Sequence, residues 1–316
     1  AVCMSIQLPS ATRATSKQRL FSLDELPPAI APPQPISLSD FVSMDFPERT
    51  NLLSPWLPER GLSMVYAKAG IGKTWFVLGV AVAITNGTNF LSFHADKSRR
   101  VLLVDGEMAP NDLQNRLNLL TQLTNSANNF QIVSDGLRDD GIPDLSTVTG
   151  QNWIEGCIQD TDLIIFDNIS TLFRSGYENE AESWQGIQNW LISLRRRGKS
   201  VLIVHHAGHS GNQRGTTKRL DVMDTVIELK HPDNYIASDG LRFEVHFRKA
   251  RQLTGKDVES FETTCVIHKG SAHWTHYPIS NPEEEQVRRL RSEGKSYRDI
   301  EENTGISRSK AQRFNV

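Results

Sequence analysis

The stretch Ala67-Lys68-Ala69-Gly70-Ile71-Gly72-Lys73-Thr74 constrains this chain more than any other. It reads A-x-x-x-x-G-K-T, a phosphate loop with Ala where the first Gly usually stands. That first place needs a small residue more than it needs glycine. The flanks supply the context such a loop requires. Leu62-Ser63-Met64-Val65-Tyr66 is short, apolar and β-prone, while Trp75 to Thr85 is apolar and helix-like until Asn86-Gly87 stops it. Strand, loop and helix in that order turn backbone N–H groups around a phosphate and place the positive end of a helix behind it. All eight residues 67–74 are then nucleotide-binding. Lys73 reaches the β- and γ-phosphates of ATP, and the Thr74 hydroxyl binds Mg2+.

The rest of the chain is read around that loop. Residues 1–58 hold nine of the 14 prolines, a spacing that blocks helix interiors and central strands alike. An extended arm is expected there, either without fixed structure or packed on a neighbouring subunit, with a short helix near Ser39 to Met44. From Gly61 onward strands and helices alternate. Val101 to Asp105, Gln131 to Val133, Leu163 to Phe166 and Val201 to Val204 read as strands. Pro110 to Leu123 and Glu182 to Arg197 read as helices, the second with Trp184, Ile187, Leu191 and Leu194 on one stripe. This pattern predicts an α/β domain over 59–280, with a mostly parallel central sheet flanked by helices. Thr225 to Leu229, Leu241 to Phe247 and Phe261 to Ile267 alternate at period two and are expected as antiparallel edge strands. Asn281-Pro282 opens a small all-α tail, 281–316. With 316 residues there is ample chain for a core. The formal net charge of -2 gives no overall basic field, so any nucleic-acid contact must be local. Three scattered cysteines, no C-x-x-C pair and no membrane-length apolar run predict a cytoplasmic protein without membrane contact.

Further chemistry sits at the ends of the apolar runs. Asp167 closes Leu163 to Phe166 and is the expected second Mg2+ partner of the phosphate loop. Asn168 follows it, where many phosphate-loop ATPases carry Glu, so the residue that orients the attacking water must come from another strand end. Val101 to Asp105 runs into Gly106-Glu107, which makes Glu107 the preferred general base, with Asp105 as its competitor. His205-His206 ends the following strand, and His206 is placed to sense the γ-phosphate. The pattern His205, His206, His209 lacks the carboxylate of a metalloprotease motif and gives no metal site. The loop 207–221 is glycine-containing and basic, with Arg214, Lys218 and Arg219; it reads as a nucleic-acid loop or as a solvated surface loop. Arg248-Lys249-Ala250-Arg251 ends a strand at the sheet edge, where Lys249 and Arg251 read as trans-acting cations for a neighbour's γ-phosphate or as solvated charge.

Together the segments V-Y-A-K-A-G-I-G-K-T-W-F, V-L-L-V-D-G-E-M, L-I-I-F-D-N-I-S-T-L, L-I-V-H-H-A-G and Q-R-G-T resemble the RecA-type ATPases, and among them the hexameric replicative helicases of the plasmid RepA kind. The resemblance covers roughly Leu53 to His276. It implies a RecA-like core, a homo-oligomeric ring (a hexamer), ATP hydrolysed between neighbours, and single-stranded DNA in a central channel. It also supports Glu107 as the base, matches His206 to the family's γ-phosphate sensor, and matches Lys249 and Arg251 to its trans-acting cations, with Arg214 as a rival. Loop 207–221 corresponds to the DNA-facing loop. The tail resembles a helix-turn-helix in which Gly305 makes the turn, Ser307 caps the second helix, and Arg308, Lys310 and Arg313 face duplex DNA. Glu301 stands where such motifs usually pack a small residue. The implied function is a DNA helicase or translocase of plasmid, phage or mobile-element replication. An ATP-gated DNA-binding regulator or loader, and a signalling ATPase without a DNA partner, are the rivals.

Overall fold

Runs of apolar residues bounded by turn residues become strands that need cover on both faces. A computed structural model describes residues 34–46, 48–121, 127–175, 181–207, 218–251, 253–279 and 282–314. The chain divides into two units, residues 1–48 and 49–316. In the first, α1 (Leu38–Ser43) starts at Ser37, whose hydroxyl accepts from the Asp40 backbone N–H at 3.1 Å; Leu38, Phe41 and Val42 are exposed.

The second unit opens with β1 (Asn51–Leu53) paired antiparallel to β2 (Leu57–Pro58). Leu52, Leu53, Trp56 and Leu57, within the stretch 1–58 expected as an extended arm, are instead buried in the main core. Four closely spaced apolar side chains outweigh the two nearby prolines. Then follow β3 (Leu62–Ala67), α2 (Lys73–Asn86), the hairpin β4 (Asn89–Phe90) with β5 (Phe93–His94), β6 (Val101–Asp105), α3 (Pro110–Leu120) and β7 (Phe130–Ser134). Next come α4 (Val148–Ile158), β8 (Leu163–Asp167), α5 (Ile169–Leu172), α6 (Ala181–Arg196), β9 (Ser200–His206) and α7 (Lys218–Asp221). The run closes with β10 (Thr225–Lys230), β11 (Leu241–Ala250), β12 (Phe261–His268) and β13 (Ser271–Pro278), then α8 (Pro282–Ser292), α9 (Tyr297–Thr304) and α10 (Arg308–Arg313).

Nine strands form one sheet in the order β13-β12-β11-β10-β3-β9-β8-β6-β7. The six from β10 to β7 are parallel, and β11, β12 and β13 extend the sheet antiparallel. β10 corrects one expectation. It runs parallel to β3, in the register Thr225↔Ser63, because it returns by a crossover from β9 rather than by a hairpin. Helix α4 and strand β13 carry weak periodicity and were not expected.

Each sheet face has its own core. On one, α2 packs its Phe76 against Trp56, Phe90 and Phe243. That helix is apolar all round, as its burial demands. It stops at Gly87, whose left-handed φ of +65° lets its N–H reach the carbonyls of Ala83 and Ile84. On the other face, Ile154 and Ile158 of α4 and the Trp184, Ile187, Leu191 and Leu194 stripe of α6 cover Phe166 and Ile203. The tail has a small core of Val287, Ile300, Ile306 and Ala311. Gly305, at φ +74°, makes its turn, and Ser307 caps α10 by accepting from the Lys310 N–H. Glu301 fits because it stays at the surface and pairs with Arg308 at 2.7 Å. Among the described residues no helix is long and apolar enough to cross a membrane.

Candidate active site

Parallel strands deliver all their carboxyl ends to one edge of the sheet, where three of the central four end on polar residues and the fourth opens into the phosphate loop. β3 ends at Ala67 and opens into the loop. β6 ends at Asp105, two residues before Glu107. β8 ends at Asp167, and β9 at His206. Asp105 lies opposite Asp167 and Ala67 opposite His206 in the strand register.

The loop bends at two glycines in the left-handed region, Gly70 at φ +81° and Gly72 at φ +118°. Gly72 is also held close: a Cβ there would lie 2.6 Å from Leu241 Cδ1. Lys68, Ala69 and Gly70 are exposed, whereas Ile71 and Lys73 are buried. Lys73 Nζ donates to the Lys68 carbonyl at 3.1 Å, which folds the ammonium back over the loop. Burial lowers the Lys73 pKa, and the charges of Asp167 and Glu107 oppose that shift. Thr74 Oγ1 donates to Asp167 Oδ2 at 2.8 Å. Asp167 is 2% exposed, and burial raises its pKa from 3.8 to about 6; the Thr74 hydrogen bond works against the rise, and nearby Asp105 and Glu107 add to it.

The two candidate bases separate. Asp105 is buried, its pKa raised by that burial, and its carboxylate accepts from the Met108 N–H at 3.3 Å and from Ser134 Oγ at 3.2 Å. It builds the turn between β6 and α3. Glu107 stands at the mouth with its side chain 49% exposed. Its Oε2 lies 3.2 Å from His206 Nε2 and accepts from the Asn168 amide. Asn168, joined to Asp167 by a cis peptide bond, is the one member of this cluster to which sequence reasoning assigned no role. Its signal was local: Asn before Ile-Ser-Thr is a helix N-cap pattern, and Asn168 Oδ1 accepts from Ser170 N–H at 2.9 Å to cap α5.

The residues fit a magnesium nucleotide. Among the described residues no group of three or more His, Cys, Asp or Glu forms a metal cage. Mg2+ does not need one: it keeps waters and binds through one or two protein oxygens plus substrate phosphates. The Thr74–Asp167 pair beside a buried ammonium offers that kind of site, and the raised Asp167 pKa marks a buried negative charge that a cation would offset.

The other candidates lie elsewhere. The β11 end pairs Ala250 with Thr225, and Thr225 with Ser63, at the start of β3. Lys249 and Arg251 therefore sit at the opposite sheet edge from the loop, roughly 15 Å away at about 3.3 Å per strand residue. Both cap α7: Lys249 Nζ donates to the carbonyls of Leu220 at 2.5 Å and Asp221 at 3.1 Å, and Arg251 Nη2 to Asp221 at 2.6 Å. Arg214 and His209 lie outside the described residues. Lys218 and Arg219 open α7, and their side chains also lie outside what is described. In the tail, Arg308 pairs with Glu301 and Lys310 with Glu283, so two of the three residues expected to face DNA are partly neutralised. Arg313 closes α10.

The flagellar accessory protein FlaH of Methanocaldococcus jannaschii is a similar solved structure: 12% identical, with the match covering 69% of this chain and 90% of that chain at a TM-score of 0.48. No curated protein matches the sequence. The family model described as AAA domain matches residues 27–212, more than half of the chain, and takes in the phosphate loop, Glu107, Asp167 and His206. With its parallel sheet and loop-bearing central strand the chain is a RecA-like phosphate-loop ATPase, and it belongs to the AAA domain family.

Proposed function

We propose that this ATPase is a ring-forming DNA helicase or translocase of plasmid, phage or mobile-element replication, working as a hexamer on single-stranded DNA. The observation that carries the reading is what stands on either side of the stretch 208–217. β9 ends beside Glu107, the next labelled element is α7, and the carbonyls closing α7 are held by Lys249 and Arg251. β9 thus leaves from the nucleotide site, and α7 is held by cations at the far edge of the sheet from their own chain's phosphate loop; the stretch that joins the two in sequence, with Arg214, is read as the DNA-facing loop.

In the proposed cycle the loop 67–74 binds ATP, and Lys73 neutralises the β- and γ-phosphates. Mg2+, when bound through Thr74 and Asp167, would offset charge on the same phosphates. Glu107 orients a water and takes its proton as the oxygen attacks the γ-phosphorus; ADP leaves with the electron pair of the broken bond. His206 senses the departing phosphate. Lys249 and Arg251 of a neighbouring copy stabilise the charge spread over the transferring group, a role commonly worth about 10³–10⁵ in rate.

The separate small core of the tail favours a second reading, an ATP-gated DNA-binding regulator or loader that holds duplex DNA and does not translocate. One set of measurements on the full chain decides: native mass with and without Mg-nucleotide and single-stranded DNA, ATPase rates with and without that DNA, and unwinding of a forked duplex. Rings, stimulation and unwinding support the motor. Duplex binding with an ATPase indifferent to single strands overturns it in favour of the regulator, and no response to any DNA overturns both. Lys73→Ala is expected to abolish nucleotide binding or turnover.

A further inference from the structure

Asn168 has no task in that cycle, yet it is 1% exposed and hydrogen-bonded at both ends of its amide. On one side Oδ1 accepts from the backbone N–H groups of Ser170 at 2.9 Å and Thr171 at 3.3 Å. Only an oxygen can face two donors, so the opposite end of the amide is the nitrogen. That nitrogen donates to Glu107 Oε2 and lies 3.0 Å from His206 Nε2. His206 Nε2 is in turn 3.2 Å from the same Glu107 oxygen. Three side chains from three strand ends close a triangle.

The donor inventory permits two patterns on it. A primary amide has two N–H bonds. With the imidazole proton on Nδ1, His206 Nε2 accepts one of them while Glu107 accepts the other. With a proton on Nε2, His206 donates to Glu107 and gives up the amide. The two exclude each other, so a change at His206 changes what holds Glu107. In both patterns Oε2 is occupied and Oε1 is left for water. Without the amide, a carboxylate on an exposed turn samples many rotamers.

We propose that Asn168 is a positioning residue that joins Glu107 and His206 into one hydrogen-bonded unit, so that the water-orienting carboxylate and the phosphate-sensing imidazole exchange partners together. This rests on the reading of Glu107 as the base.

The test must remove the amide N–H and keep the helix cap. N168S does so, since Ser caps as well as Asn. N168D also keeps a capping oxygen and sets a second carboxylate against Glu107. Steady-state ATPase of the full chain with Mg-ATP is measured alongside melting temperature. For N168S we expect kcat to fall about 10–10²-fold, as for a displaced catalytic group, with KM for ATP within about threefold of wild type and the melting temperature nearly unchanged. N168D is expected to lose at least as much. In N168S/H206A the two losses should not multiply, because each breaks the same unit. Wild-type kcat in N168S overturns the proposal, and so do losses that multiply fully. E107Q separates the two layers: if it turns over normally, the reading of Glu107 fails and the proposal with it. If E107Q is inactive while N168S is normal, the positioning role alone is refuted.

Discussion

Replacing the buried carboxylate of Asp167 by its amide should make the ligand-free protein more stable while abolishing its chemistry. The rise of the Asp167 pKa from 3.8 to about 6 corresponds to about 3 kcal/mol of unfavourable charge burial at neutral pH. The sign follows from linkage. A carboxyl whose folded-state pKa is raised contributes stability below its unfolded value, and that contribution is lost as pH climbs through about 6. Asp167→Asn removes the loss. The amide oxygen can still accept from Thr74, but burying the amide returns part of the gain, leaving about 1–3 kcal/mol, or about 3–8 °C in melting temperature for a unit of this size. The assay is thermal unfolding of both proteins without nucleotide at pH 8 and at pH 5. The variant should melt higher at pH 8, and the gap should shrink at pH 5, where wild-type Asp167 is mostly protonated. Adding Mg-ADP should raise the wild type more than the variant. A variant that melts below wild type at pH 8, or a gap that ignores pH, would refute this account of the site.

Three further outcomes can be checked. Gly72→Ala places a Cβ 2.6 Å from Leu241 Cδ1 at a backbone φ of +118°; a loss of about 2–4 kcal/mol in denaturant unfolding is expected, with weaker nucleotide binding by calorimetry. Asp144 accepts from the backbone and hydroxyl of both Ser146 and Ser175, which holds its carboxyl well below the usual carboxylate range. Its contribution is present above the ordinary carboxylate pKa and fades as pH falls, so Asp144→Ala should cost about 2 kcal/mol at pH 7 after allowance for solvent screening, and less at pH 3. Arg251→Ala should cut DNA-stimulated turnover by about 10³ or more if neighbours share sites; full stimulated turnover would remove Arg251 from the mechanism.

The sheet was legible because its central strands must be apolar on both faces, and runs such as Leu163 to Phe166 have no other reading. The loop was legible because its glycines and Lys-Thr pair have few structural substitutes. What escaped detection depends on partners distant in sequence. The parallel pairing of β10 is set by where its crossover lands, and a period-two pattern is silent on direction. The 49–58 segment looked like linker because its prolines are local and its partners, Phe76 and Phe93, are not. Asn168 looked like a missing glutamate, and its place between Glu107 and His206 emerges only when β6, β8 and β9 are laid side by side.

That layout also bears on why one copy is a poor unit of activity under the proposed function. A parallel sheet gathers every strand's carboxyl end at one edge, so the phosphate loop, Asp167, Glu107 and His206 meet without effort. The antiparallel return of β11 carries Lys249 and Arg251 the other way, to the edge where β3 begins. No rotamer change in a lysine or arginine spans that distance together with the intervening core. Within one chain both cations donate to the α7 carbonyls. A neighbour's triphosphate is a stronger acceptor than a helix end, and reaching it would release α7. The topology that separates chemistry from cation within one chain is therefore what would let the state of one nucleotide be felt at α7 of a neighbouring subunit.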